Sequence, residues 1–341
     1  MQLVLGEPPG GLRKPVLLAG FGGWGDAGSA ASIALRHVLG EPAPPASAML
    51  DPSACYDFTV ARPLSTRSAD GRRWSLEYPK IAFYPLPLPA AERDLLVLLG
   101  PEPHFRWPEL APAIIRYARA SGVESMITLG AYVGPVTHHV APVVRRTLDP
   151  RLGDRLGELE LQDTDYEGPT AFVTALLHAA AAGGISAASL WVATPPYLQA
   201  GNPVAALALL EATGKVTRLP MGTDRLRDVA DNFLHDVEAA LEEHPELAEQ
   251  LKEMLEAEED DGDDDLDDDG FEVESRAHWR GPDPDRPPPD SPPGLPTGKR
   301  ARARLGRRRQ AGVCGKGDRP ARAVRAEHSR RHRARACAVA A

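Results

Sequence analysis

The chain has 341 residues, of which 43% are hydrophobic, so it can form one large domain or two smaller ones. Its net charge of −9 is unevenly distributed, because residues 1–275 carry 21 basic and 43 acidic residues whereas residues 276–341 carry 18 and 5. Three cysteines without ligand-like spacing argue against a disulfide framework or a zinc site, and no apolar run of 18 residues predicts a membrane span.

Strands and helices are predicted to alternate along the first two thirds of the chain. Residues 1–15 lack the basic and apolar regions of a signal peptide, so we expect a cytoplasmic protein. In chain order, the predicted elements are a strand at 15–20, a helix at 27–39, exposed strand segments within 72–84, a strand at 94–99, a helix at 107–120, a strand at 125–130, a helix at 169–182 with Pro169 in its first turn, a strand at 186–193 and a helix at 203–213. This alternation is typical of an α/β sheet covered on both faces, and we assign it to a core domain of residues 1–221.

A pair of amphipathic helices is predicted over residues 222–258, packed on the core. The apolar residues recur at helical spacing twice, first as Leu226, Val229, Phe233, Val237 and Leu241, and then as Leu247, Leu251, Met254 and Leu255. Burial against the core is the common fate of such a stripe, and a partner surface is the alternative.

Residues 259–341 are predicted to be a disordered tail, first acidic and then basic. Residues 256–274 hold 13 acidic groups, which repel one another and offer little apolar surface. Asp265, Asp267, Asp269 and Gly270 match part of a calcium loop, but Arg276 stands where the loop needs a bidentate glutamate, so we interpret the run as solvated.

The basic part of the tail has an unusual composition. Its last 66 residues include 16 Arg, 12 Ala, 9 Pro and 7 Gly, all residues with GC-rich codons. We therefore hypothesise a frame-shifted or read-through extension, with a native basic tail or a polyanion-binding arm as alternatives. No aromatic residues interleave the arginines, so specific nucleic-acid binding is not expected.

A glycine-rich stretch, Gly20, Gly22 and Gly25 in the pattern G-x-G-x-x-G, follows the first predicted strand and opens a helix, as a dinucleotide-binding turn does. Trp24 would obstruct a pyrophosphate, and Asp26 would compete with it for the helix amides. Asp51, the single candidate for a ribose contact, follows a proline-rich segment that makes a poor strand. We therefore interpret the stretch as a tight bend, in which Gly22 and Gly25 adopt positive φ and Asp26 caps the helix starting at residue 27.

A second group of candidates follows the strand at 94–99. Glu102, Arg106 and Trp107 lie where α/β proteins bind ligands, but we prefer the simpler interpretation of an Arg–Glu pair with a tryptophan that begins a helix. His138 and His139 lack further metal ligands nearby, and a loop or core pair is the simpler interpretation. The sequence contains no hydrolase, zincin or P-loop motif, so we assign no catalytic residue, metal or cofactor.

Several linked motifs resemble a known family. "GFGGWGDAGSAAS", "DPSACYDFTVARP", "GPEPHFRW", "TLGAYVGPVTHHVAPV", "YEGPTAFV" and "SLWVATPPYLQAGNPVAALALL" occur in the order found in the second type of proteasome assembly chaperone family, in its actinobacterial-like branch. The resemblance covers about residues 15–258. It implies a three-layer α/β/α sandwich related to nucleoside phosphorylases and peptidyl-tRNA hydrolase-like proteins, a homotrimer, and Trp24 and Asp26 as signature side chains.

The resemblance implies a chaperone-like function, since eukaryotic relatives act on proteasome α-rings. We therefore expect a non-enzymatic homo-oligomer that binds proteasome subunits. The family's C-terminal hydrophobic–tyrosine–any residue docking tripeptide is not expected here, because the sequence ends in Ala-Val-Ala-Ala. The alternative is an enzyme or sensor for a small polar ligand, with a cleft at the strand ends that gathers Trp24, Asp26, Glu102, Arg106 and Tyr166.

Overall fold

The computed structural model describes residues 3–68, 70–159, 161–198, 200–244 and 246. The predicted second C-terminal helix, the acidic run and the basic tail lie outside these residues, so the division into a core, a helical pair and a tail stays a prediction.

A central sheet organises the described part of the chain. The strands are β1 (Val4–Gly6), β2 (Val16–Gly22), β3 (Ala48–Leu50), β4 (Leu64–Arg67), β5 (Trp74–Glu77), β6 (Ala82–Leu86), β7 (Leu95–Pro101), β8 (Ser125–Val133), β9 (Val143–Thr147), β10 (Gln162–Asp163) and β11 (Ser186–Thr194). The sheet has the order β1-β3-β6-β7-β2-β8-β11-β9-β10. Its central strands β7, β2, β8 and β11 run parallel, and we call the edge at which they end the carboxyl edge.

Helices cover both faces of this sheet. They are α1 (Ala30–Leu39), α2 (Pro52–Cys55), α3 (Trp107–Ala120), α4 (Pro150–Gly157), α5 (Phe172–Ala182), α6 (Pro203–Thr217) and α7 (Asp224–Glu243). Alternate residues of β2 divide between two cores, with Leu17 and Phe21 on the side of α3 and α5, and Val16 and Leu18 on the side of α1 and α6. This arrangement confirms the predicted three-layer α/β/α fold.

Several predicted elements differ from the structure at their ends. The helix predicted from residue 27 begins as a 3₁₀ turn, Ala27–Ser29, because Gly28 has φ +57°, and α1 starts only at Ala30. The helix predicted at 169–182 starts at Phe172, so Pro169 lies outside its first turn. An extended Ala171 (φ −84°, ψ 165°) immediately precedes that helix.

The segment dismissed as a poor strand does contribute one. Ala48–Leu50 forms β3, which pairs antiparallel with both β1 and β6. The prolines precede these three residues and therefore leave their hydrogen bonds intact. The exposed segment predicted at 72–84 divides, since β6 joins the central sheet whereas β5 pairs with β4 in a separate two-stranded sheet.

The first C-terminal helix is buried only near its start. In α7 the side chain of Leu226 is buried, but Val229 remains 48% exposed. Phe233 and Val237 are half-buried, so the predicted apolar stripe is only partly covered by the described part of the chain. The helix packs on α6.

Candidate functional site

The glycine bend at the carboxyl edge depends on close packing at Gly25. Neither Gly22 nor Gly25 has a positive φ, which corrects the prediction; Gly23 (φ +142°) and Gly28 (φ +57°) adopt it instead. A Cβ at Gly25 would lie 2.7 Å from the Cβ of Ala171, and one at Gly20 would lie 2.8 Å from Leu35 Cδ1. The bend thus requires glycine mainly because helices and side chains approach its backbone closely.

The carboxylate of Asp26 caps α1 from before the 3₁₀ turn. Its Oδ1 accepts hydrogen bonds from the Ala31 amide (2.8 Å) and the Ser32 amide (3.2 Å), and its Oδ2 accepts one from Ser32 Oγ (2.5 Å). Burial raises the pKa of Asp26, while these hydrogen bonds oppose the shift. The cap lies one turn later than predicted and occupies the helix amides that a dinucleotide pyrophosphate would need.

Asp51 has a similar local role. Its Oδ1 accepts hydrogen bonds from the amide (3.0 Å) and hydroxyl (2.6 Å) of Ser53 and so caps the short helix α2. The structure therefore explains this carboxylate without a ribose.

The carboxylate of Glu102 accepts hydrogen bonds at the start of α5. Its Oε1 accepts a 2.6 Å hydrogen bond from the amide of Phe172, and the Trp24 amide also donates to the carboxylate. The Glu102 amide in turn donates to Gly22 O at 2.7 Å. Burial raises the pKa of Glu102, and the two amides oppose the shift. Asp26 and Glu102 therefore supply the negative charge at two helix N-termini where an α/β protein could otherwise bind an anion.

Arg106 and Trp107 also make structural contacts. The guanidinium of Arg106 pairs with Glu109, one turn along α3, rather than with Glu102. The indole N–H of Trp107 donates to Pro103 O at 2.6 Å, and its ring meets that of Phe172 edge-on at 5.3 Å. The simpler interpretation of this stretch, an Arg–Glu pair with a tryptophan opening a helix, accounts for these contacts.

One cavity at the carboxyl edge brings together only part of the predicted cleft. It has a volume of about 670 Å³ and is lined by Trp24 and Tyr166, but not by Asp26, Glu102 or Arg106. Four of its chief lining side chains were not predicted, Tyr132, Arg146, Asp165 and Trp191. We call this space, lined chiefly by Trp24, Tyr132, Arg146, Asp165, Tyr166 and Trp191, the aromatic cavity.

His138 is buried in a loop, and His139 beside it is exposed. The amide and Nδ1 of His138 each lie 2.8 Å from the hydroxyl of Tyr197, and its Nε2 is buried without a partner. Burial lowers the pKa of His138. His139 lies 4.0 Å from the carboxylate of Glu238.

The described ranges contain neither a cluster of metal ligands nor a helix that could span a membrane. Nowhere in them do three or more His, Cys, Asp or Glu side chains gather as a metal site requires. None of the helices described has both the length and the apolar character needed to cross a bilayer.

Comparison with known proteins identifies relatives. The model of the PAC2 family matches residues 20–241. A PAC2 family protein from Streptomyces avermitilis is 33% identical with a TM-score of 0.60, and the match covers 66% of this chain and 95% of that protein. No protein of curated function matches the sequence.

Two further solved structures are similar. A Mycobacterium tuberculosis proteasome-assembly chaperone homologue is 28% identical, with a TM-score of 0.60 over 69% of this chain and 98% of that one. A Pyrococcus furiosus archaeal proteasome activator, 19% identical with a TM-score of 0.55, covers 70% of this chain and 99% of its own, and supports the fold alone.

Proposed function

The chain belongs to the PAC2 family, and we propose that it is a chaperone-like protein that binds proteasome subunits in the cytoplasm. The observation that carries this proposal is the 28% identity to a proteasome-assembly chaperone homologue over 98% of that chain's length. The carboxyl edge supports a non-enzymatic role, because the buried carboxylate of Asp26 and the half-buried carboxylate of Glu102 both accept hydrogen bonds from backbone amides.

The proposal includes a homotrimer, and the exposed hairpin of β4 and β5 supports contact between copies. Trp74 and Leu76 share one face of this hairpin and are 69% and 56% exposed. A two-stranded sheet is marginally stable alone, and exposed aromatic faces mark protein contacts. A second copy is the partner always present at equal concentration, so it is the occupant that we assign to this face.

Light scattering of the full chain tests the oligomer. We expect a mass three times the single-chain value of 36.6 kDa. The double variant Trp74→Ser, Leu76→Ser should fall to the single-chain mass. Val140→Ser, at a 54% exposed position in the loop before β9, is the matched control and should keep the trimer. A single-chain mass for the unaltered protein would rule out the homotrimer.

Titration with purified proteasome subunits from the same organism tests the partner. We expect saturable binding of the full chain to α-subunits at a fixed ratio, and no saturable binding to β-subunits. Equal, non-saturating signals from both would contradict the proposal and indicate unspecific adhesion.

The second candidate function is recognition of a small ligand by an enzyme or sensor. The aromatic cavity supports this alternative, because α/β sheets bind ligands beyond the carboxyl ends of their strands. A protein-binding role and a ligand-binding cavity are compatible, and separate experiments test them.

A further inference from the structure

We propose that the aromatic cavity binds an aromatic carboxylate, with its ring against Trp191 and Trp24 and its carboxylate on Arg146. The inference rests on the second candidate function, ligand recognition at the carboxyl edge, and is independent of the chaperone role. Three features of the lining carry it, a fixed aromatic floor, a fixed side wall and a cationic group without a carboxylate partner.

The floor of the cavity is the indole of Trp191 in β11. A Cβ at Gly130, on the neighbouring strand β8, would lie 2.6–2.8 Å from three ring atoms of Trp191, so one ring face rests directly on that glycine. The indole N–H donates to Ser189 Oγ at 2.9 Å, and Ser189 Oγ also accepts from Thr128 Oγ1 at 2.7 Å. The ring is therefore fixed and its polar atom satisfied, and it forms part of the lining against which a planar ligand can stack.

The side wall is formed by Tyr166. Its hydroxyl donates to Pro169 O at 2.9 Å, and a Cβ at Gly168 would lie 2.7 Å from that hydroxyl oxygen, so the phenol folds back over a glycine. Trp24 also lines the cavity, and its side chain is 62% exposed. A large exposed indole beside a fixed aromatic floor is suited to cover a planar ligand.

The charge of the cavity comes from Arg146 in β9. The neighbouring Arg145 is buried and paired, 3.0 Å from Asp163 and 2.7 Å from Leu161 O. The guanidinium of Arg146 makes a single hydrogen bond, from Nη2 to Tyr166 O, and has no carboxylate partner in the part of the chain that the structure describes. The remaining guanidinium N–H groups can hold a carboxylate in the bidentate geometry that arginine favours.

Asp165 places a second charge in the lining. Its side chain is exposed, so solvent screens it from the anion on Arg146. A ligand with an α-ammonium group next to its carboxylate, as in an aromatic amino acid, could use both charges. A simple aromatic acid would use Arg146 alone, and the experiment below distinguishes these two kinds of ligand.

Calorimetry with four related probes tests the proposal on the full chain. The probes are indole-3-acetate, L-tryptophan, tryptamine and indole, which share one ring and differ in carboxylate and ammonium groups. We expect indole-3-acetate to bind at least about tenfold more tightly than tryptamine or indole, the effect of one charge-assisted pair. If L-tryptophan binds more tightly than indole-3-acetate and Asp165→Asn removes the difference, the ligand is an aromatic amino acid. If the two probes bind equally, the ligand is a simple aromatic acid. Both results support the carboxylate site.

Variants link the affinity to the cavity. Arg146→Gln should weaken indole-3-acetate binding at least about tenfold while leaving indole unchanged, and Arg146→Lys should restore part of the loss. Trp24→Ala, at an exposed position, should weaken the binding of every probe. It also tests the cavity if Arg146→Gln does not fold. Arg119→Gln, on the exposed side of α3, is the control and should change nothing.

Two results would overturn the proposal in distinguishable ways. If all four probes bind equally, or if Arg146→Gln binds indole-3-acetate like the unaltered chain, the cavity binds small ligands but not as a carboxylate site. If no probe binds at millimolar concentration, both the carboxylate site and the second candidate function fail.

Discussion

Substituting Gly25 by alanine is the sharpest test of how the bend is packed. The new methyl carbon would lie 2.7 Å from Ala171 Cβ and 3.2 Å from Trp191 Cη2, whereas carbon atoms prefer about 3.5–4.0 Å. Both neighbours are constrained, since Ala171 precedes α5 and Trp191 rests on Gly130. We expect the overpacking to lower the free energy of unfolding by about 1–3 kcal/mol.

Urea denaturation followed by tryptophan fluorescence measures this effect. Gly10→Ala is the matched control, because a Cβ there meets nothing within 4 Å and its φ is not positive. That variant should change the free energy of unfolding by less than about 0.5 kcal/mol, or stabilise slightly. Adding Ala171→Gly to Gly25→Ala removes the closest contact and should recover at least half of the loss.

Two outcomes would refute the reasoning about the bend. In the first, the free energy of unfolding of Gly25→Ala lies within about 0.5 kcal/mol of that of the unaltered chain. The backbone must then relax around the new methyl group without cost. In the second, Ala171→Gly fails to recover stability in the double variant, so the cost must come from elsewhere.

Three further predictions concern the ionisable groups Glu102, Asp94 and His138. Glu102→Ala should cost about 1–2 kcal/mol of unfolding free energy by urea titration, because the α5 cap is lost, whereas Glu109→Ala should cost less than about 0.5; equal losses would contradict a capping role. The Arg13 guanidinium lowers the pKa of Asp94 to about 2, so its stabilisation is complete above pH 3.8 and lost as the pH falls toward 2. In thermal unfolding at pH 2–5, Asp94→Asn should remove this loss of stability in acid, which is worth at most about 2 kcal/mol. An unchanged dependence of stability on pH would refute the assignment. Because burial lowers the pKa of His138, stability should fall as the pH drops below 6.5. His138→Phe should therefore reduce the pH dependence of the melting temperature between pH 7 and 5. The same dependence in the variant as in the unaltered chain would contradict this.

The central layers of the fold could be predicted because their signals are local. The parallel strands are continuous apolar runs, and α3 was predicted with the bounds that it has, Trp107–Ala120. The strand β3 was missed because three residues pair antiparallel with a segment far along the chain, which no local pattern records. The strand β4 was also not predicted, although its partner β5 lies nearby in the sequence. Both strands are largely exposed, so no buried apolar face marks them.

The candidate site was harder to predict because its contacts join distant parts of the chain. Glu102 caps a helix that begins 70 residues later, so its role is invisible to a local capping rule. The aromatic cavity joins Trp24, Arg146, Tyr166 and Trp191 from four separate segments. A tryptophan within an otherwise small and apolar strand, beside a glycine-bearing strand, was the one available signal for its floor.

Proteasome assembly measured from purified subunits tests the proposed function most directly. Separately purified α- and β-subunits from the same organism are mixed with and without the full chain, and native gels follow the appearance of complete particles. We predict that the chain binds the α-subunits and increases the rate of particle formation, while a denatured sample of the same chain does not. An unchanged rate, with no complex between the chain and the α-subunits, would contradict the chaperone account.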